Sequence, residues 1–193
     1  MSTFHSFGLK ILRENYDLLG YDKNFCIIDS EDSLTLIKKI MKDTGMDPKE
    51  INPWAIRSQI SGCKNELVSP QDYEKYAAST YEKDVLLVYE KYEKMLKLNN
   101  SVDFDDLLIL PIRLFQKNPE VLEKYQERYQ YILIDEYQDT NQAQYILSKL
   151  ISKKYRNICV VGDNDQAIYS FRGANYRNIL NFEKDYPDAE VVL

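Results

Sequence analysis

Residues 131–166, YILIDEYQDTNQAQYILSKLISKKYRNICVVGDNDQ, decide how this chain folds. Two compact apolar runs, YILID at 131–135 and NICVVGD at 157–163, flank a segment at 141–152 whose apolar residues recur at helical spacing. Strand, helix, strand in that order is a βαβ unit, because parallel neighbours need a crossover and its right-handed form returns both strand ends to one edge of the sheet. The fold class is therefore α/β. Ligands of open α/β sheets bind outside the carboxyl ends of the strands. Asp135 and Glu136 stand there after the first strand, and Gly162-Asp163-Asn164-Asp165-Gln166 after the second.

Upstream of this unit the spacing predicts a helix over 119–129 and an acidic-started amphipathic helix over DFDDLLILPIRLF at 103–115, which Pro111 should kink or shorten. Between residues 30 and 130 no strand signal appears. Helical pieces broken at Pro53, Gly62 and Pro70 lead to a clear amphipathic face made by Tyr81, Val85, Val88, Tyr92 and Met95. Asn99, Asn100 and Ser101 form the closing turn. The apolar residues from Phe4 to Leu19 predict another helix, capped by Gly20, and AEVVL at 189–193 predicts a last strand. The expected organisation is an opening segment 1–23, a helical subdomain 24–101 and an α/β remainder 102–193.

With 193 residues, 44% hydrophobic and 29% charged, the chain can bury a core as one large domain or two small ones. No apolar run approaches the roughly 20 residues that span a bilayer, and MSTFHSFGLKILREN lacks the regions of a signal peptide, so no membrane association and a cytoplasmic location are expected. Cys26, Cys63 and Cys159 lie far apart beside apolar neighbours and are expected to be buried reduced thiols. A single histidine, His5, argues against a zinc site. The net charge of -6 argues against holding nucleic acid by bulk electrostatics, but not against a groove that stacks bases on rings, for which 16 tyrosines give ample supply.

A carboxylate at the end of a strand can hold magnesium while its neighbour orients and deprotonates a water, so Asp135 and Glu136 are candidates for phosphate chemistry; solvated strand-end acids are the alternative. Gln166 can donate and accept at a phosphate or an attacking water. Tyr169, Phe171 and Arg172 place two rings and a cation within four residues, which suits a stacked base, or else core packing with Arg172 paired to an acid. In the helical stretch Lys64-Asn65 is the one pattern to flag, against a solvated helix end, and the tyrosines there are read as packing.

TFHS at 3–6, DFDDL at 103–107, ILIDEYQDTNQAQ at 132–144 and VVGDNDQAIYSFRGA at 160–174 resemble, in order and spacing, the UvrD/PcrA/Rep family of superfamily 1 DNA helicases. The resemblance covers essentially the whole chain. It implies an incomplete RecA-like parallel sheet of the P-loop NTPase fold, motor domain 1A, with an inserted all-helical subdomain 1B at 24–101. It also implies ATP and Mg2+ as cofactors, translocation on single-stranded DNA, unwinding at single-strand/duplex junctions, and repair or replication proteins as partners. On that likeness Asp135 binds magnesium, Glu136 is the catalytic base and Gln166 senses the γ-phosphate. Tyr169, Phe171 and Arg172 line the single-strand channel, Phe104 stacks on a base, Thr3, His5 and Ser6 contact the DNA backbone, and Lys64 faces DNA from the helical insertion. Phe171 departs from several relatives, which carry tryptophan there, and offers a smaller stacking face.

None of the six glycines opens a GxxxxGK[ST] phosphate loop. The resemblance places that loop before TFHS and a second motor domain after the last residue, so the chain reads as an internal piece that hydrolyses little ATP by itself. A nuclease-linked recombination helicase, a non-catalytic DNA- or protein-binding module and an RNA-acting relative remain as other readings.

Overall fold

A computed structural model describes residues 1–163, 177–190 and 192. Backbone contacts divide the chain into two compact units, Met1–Leu114 and Phe115–Leu193. The first unit holds helix α1 (Phe4–Glu14), strand β1 (Cys26–Ile27), helices α2 (Ser30–Asp43), α3 (Pro53–Asn65), α4 (Pro70–Glu74) and α5 (Thr80–Leu98), strand β2 (Ser101–Val102) and the start of α6 (Asp106–Lys117). α1 is shorter than its periodicity predicts. It stops at Glu14, where Asn15 caps it: the side-chain Nδ2 donates back to the Ile11 carbonyl at 2.8 Å while the backbone N–H turns to the Leu12 carbonyl, and Gly20 instead closes a later turn at φ 68°.

Pro53 and Pro70 begin α3 and α4, where a missing N–H costs nothing. Gly62, read from sequence as a break, lies inside α3, whose face carries Ile56, Ile60 and Cys63 into the core. That core gathers Ile37, Ile40 and Met41 of α2 with Val85, Val88, Tyr89 and Tyr92 of α5. α5 opens on a reciprocal capping box between Ser79 and Glu82, worth about 1 kcal/mol. β1 and β2 pair in parallel, Cys26 with Ser101 and Ile27 with Val102. Sequence periodicity missed β2 because two residues carry no alternation to read.

Pro111 neither shortens nor ends α6, which begins at Asp106 rather than Asp103. A proline at 111 leaves the Leu107 carbonyl without its usual helical amide partner. Gly8 of α1 fills that gap: a Cβ there would lie 1.7 Å from the Leu107 carbonyl oxygen and 3.5 Å from Pro111 Cγ. Only glycine permits this approach, and it brings TFHS against the DFDDL segment.

In the second unit α7 (Pro119–Arg128), β3 (Ile132–Ile134), α8 (Gln142–Ser152), β4 (Ile158–Val160) and α9 (Arg177–Asp185) follow the tail of α6. β3 and β4 are parallel, in register Ile132 with Ile158, Leu133 with Cys159 and Ile134 with Val160, so the βαβ reading holds. α8 starts on a second capping box, Asn141 with Gln144. The strand read at 189–193 falls partly on Val191 and Leu193, outside the described residues; Ala189 and Glu190 are not in a strand. All three cysteines are free, but only Cys63 is buried, since Cys26 and Cys159 stand exposed on the short strands. Among the described residues no helix is long and apolar enough to cross a membrane.

Candidate functional site

β3 ends at Ile134, and the chain turns at once so that Asp135 and Glu136 are both exposed. Glu136 sits in the left-handed region, φ 52° and ψ 44°, a conformation that costs a non-glycine residue about 1–3 kcal/mol and is retained where the surroundings enforce it. Three contacts do so. The Tyr137 amide donates to the Val161 carbonyl at 2.9 Å, continuing the β3–β4 ladder, and the Glu136 amide donates to Asp135 Oδ1 at 3.0 Å. Gln138, buried in the short 3₁₀ turn Tyr137–Asp139, donates from Nε2 to Glu136 Oε2 at 2.6 Å.

The other end of that amide accepts from the Asp163 N–H at 3.0 Å, tying the glutamate to the end of β4. Gly162 makes room for it, because a Cβ there would lie 2.7 Å from Gln138 Oε1. On the far side, Asn178 of α9 donates to the Thr140 carbonyl at 2.8 Å, while Phe182 packs edge-on against Tyr137 with ring centroids 5.6 Å apart. Both flanks of segment 164–176 are thus tied to the same acidic loop. Gln166, Tyr169, Phe171 and Arg172 fall in that segment, outside the described residues. Gln138, Thr140 and Asn178 were missed by sequence reading; the signal was that a buried glutamine must satisfy both ends of its amide.

In the first unit Thr3 caps α1, its hydroxyl accepting from the Ser6 amide at 3.2 Å and donating to Ser6 Oγ at 3.0 Å. The His5 ring lies 5.7 Å from that of Phe104, which is 55% exposed. Thr3, His5, Ser6 and Phe104 are therefore close together, as Gly8 allows.

Lys64 is a correction. It is only 2% exposed, so it is neither a solvated helix end nor free to meet DNA. Its ammonium donates to Asp103 Oδ2 at 2.8 Å and Asp106 Oδ1 at 2.9 Å, and pairs with Glu93 Oε1 at 2.7 Å. Asp103 also accepts from the Tyr92 hydroxyl at 3.0 Å. Burial alone would lower the lysine's pKa, but the carboxylates together outweigh it and hold Lys64 well above its ordinary value.

One ammonium cannot serve these acids equally. Burial, and then the Asp103 charge, push the Asp106 carboxyl from an ordinary 3.8 up to about 7. Burial also opposes ionisation of Asp103, yet the Lys64 charge and the hydrogen bonds around it hold that carboxyl below its ordinary value. Because Asp106 binds its proton more tightly folded than unfolded, its contribution to stability is greatest at low pH and declines as pH rises to about 7. Glu93 adds to the rise, while the Lys64 charge and hydrogen bond oppose it; Asp105, Tyr21 and Tyr92 are the other titratable groups of the cluster. Asp106→Asn is neutral at every pH, so between about pH 5 and about pH 8 the melting temperature of the unaltered chain should fall relative to the variant's. A difference that stays constant or rises would contradict the assignment.

Comparison with known proteins adds the context. Residues 1–187 match the family described as UvrD/REP helicase N-terminal domain. The chain is 51% identical to an ATP-dependent DNA helicase PcrA of Bacillus subtilis (strain 168) over 193 residues, 100% of this chain and 26% of that protein. Over the same shares it is 49% identical to an ATP-dependent DNA helicase PcrA of Staphylococcus aureus (strain Mu50 / ATCC 700699) and 48% identical to one from Staphylococcus epidermidis. The chain thus spans about a quarter of the length of the relatives it matches.

Proposed function

The chain belongs to the UvrD/REP helicase family, and from that membership we propose that it forms part of motor domain 1A, with its helical insertion 1B at 24–101, of an ATP-dependent DNA helicase. Motor domain 1A is RecA-like, an incomplete parallel sheet over the residues here, and it translocates on single-stranded DNA and opens duplex at junctions. The observation that carries this reading is the Asp135–Glu136 pair at the carboxyl end of β3, its glutamate tied through Gln138 to the end of β4.

Asp135 and Glu136 offer only carboxylate oxygens at an exposed strand end, a donor set suited to Mg2+, which is usually held by one or two carboxylates plus substrate phosphates. When bound, the ion would supply positive charge to offset the negative charge developing on the phosphate being transferred. Asp135 would hold it, with one carboxylate oxygen already accepting from the Glu136 amide. Glu136 accepts the proton of the water that attacks the γ-phosphate, its carboxylate steered by Gln138. Gln166 senses the γ-phosphate and passes that signal to Tyr169, Phe171 and Arg172 along the DNA channel, a reading supported by the ties of the flanking Asp163 and Asn178 to the acidic loop. Thr3, His5 and Ser6 meet the DNA backbone, and Phe104 stacks on a base.

The test is made on the complete protein. Single-stranded DNA should stimulate its ATP hydrolysis, and it should displace a labelled strand from a tailed duplex only with ATP and Mg2+. Hydrolysis indifferent to DNA, with no displacement, would remove the helicase reading.

A further inference from the structure

DFDD at 103–106 packs three carboxylates and one ring into four residues, and the structure sorts them by direction. Asp103 and Asp106 turn inward onto Lys64, and they also cap each other, the Asp106 amide donating to Asp103 Oδ1 at 2.9 Å and the Asp103 amide to Asp106 Oδ2 at 3.1 Å. Asp105 accepts from Asn65 Nδ2 at 3.1 Å. Lys64 and Asn65, adjacent on α3, thus hold every acid of the turn, and Phe104 alone projects outward beside His5. A ring this exposed is not fixed by its own packing. Its direction comes from the residues on either side of it.

We propose that Lys64 is a positioning residue for Phe104: by binding the acids that flank it, the lysine fixes the turn so that the ring stands out as a stacking face for a base of single-stranded DNA. The same contacts draw the acids of the turn inward, away from the face that a phosphate backbone approaches, where exposed carboxylates would repel it. They also join α3, a helix of the insertion, to the DNA-contacting turn. This rests on the reading of Phe104 as a base-stacking ring.

The experiment uses the complete protein and an oligo-dT strand carrying one aminopurine, with affinity followed by anisotropy and stacking by aminopurine fluorescence. Phe104→Ala should weaken binding about tenfold and abolish the fluorescence change, since one base–aromatic stack is removed. Lys64→Met should do the same when Phe104 is present and add almost nothing in a Phe104→Ala background. Asn65→Ala, which spares the buried lysine, should give a smaller loss with the same dependence on Phe104, and it carries the test should Lys64→Met fail to fold. If Phe104→Ala binds as the unaltered protein does, the stacking reading falls and the proposal with it. If Phe104→Ala binds weakly while the Lys64 and Asn65 effects are equal in both backgrounds, the stacking reading stands and the positioning proposal alone is overturned.

Discussion

Glu136→Gln in the complete protein should lower ATP turnover at saturating nucleotide and DNA by about 10²–10⁴-fold, the usual contribution of a general base. The substitution isolates that role. A glutamine keeps an oxygen to accept from Gln138 Nε2, so the link from residue 136 to Gln138 and on to the Asp163 amide survives. The backbone at 136 is already left-handed, and glutamine faces the same steric cost there as glutamate. What is lost is the capacity to take a proton. Nucleotide affinity, read by equilibrium binding of a fluorescent ATP analogue, should therefore stay within a few-fold while strand displacement disappears. Turnover reduced less than about tenfold would mean that another group accepts the proton and that Glu136 only orients water. A parallel loss of nucleotide binding would place the glutamate in the phosphate contacts instead.

The elements around this site were legible in the sequence because each carried its own local signal. β3 and β4 are compact apolar runs, and α8 is bounded by Asn141 and Gln144 at capping-box spacing. The acids after β3 could be placed from that topology alone. Gln138 could not, because its importance lies in bridging Glu136 to Asp163, a contact across 25 residues of chain. The errors elsewhere have the same origin. Gly62 looks like a break only until Ile56, Ile60 and Cys63 are seen to pull α3 into the core, and Pro111 ends a helix only when nothing fills the gap it leaves. Gly8, 103 residues earlier than Pro111 by number difference, supplies the filling from α1.

Lys64 shows how such a residue can be found. Its partners at 93, 103 and 106 are distant in sequence, so no local pattern names them. Its register does: Ile56, Ile60 and Lys64 step by four along α3, which sets a lysine on the buried face of an otherwise apolar stripe. A cation there needs acids, and DFDD puts three within four residues and runs directly into the buried stretch LLIL.

Lys64→Met should destabilise the protein by about 3–5 kcal/mol, the cost of removing one partner from a buried charge cluster. Methionine nearly matches the lysine stem in length and stays apolar, so the loss comes from stranding Asp103 and Asp106 rather than from an empty cavity. Its pH dependence separates the two causes. Without the ammonium, burial and mutual repulsion raise both carboxyls in the folded state, so folding then takes up protons that the unfolded chain does not hold. Stability of the variant must accordingly increase as pH falls from neutral toward the ordinary carboxylate range. In the unaltered protein Asp106 already behaves this way, but Asp103 is held below its ordinary value and gives up nothing over that interval, so the variant gains the more as pH falls. The gap between the two melting temperatures should be widest near about pH 8 and narrow toward about pH 5, whereas a packing defect costs the same at both. A gap that does not change with pH would show that Lys64 supports the fold by its stem and not by its charge.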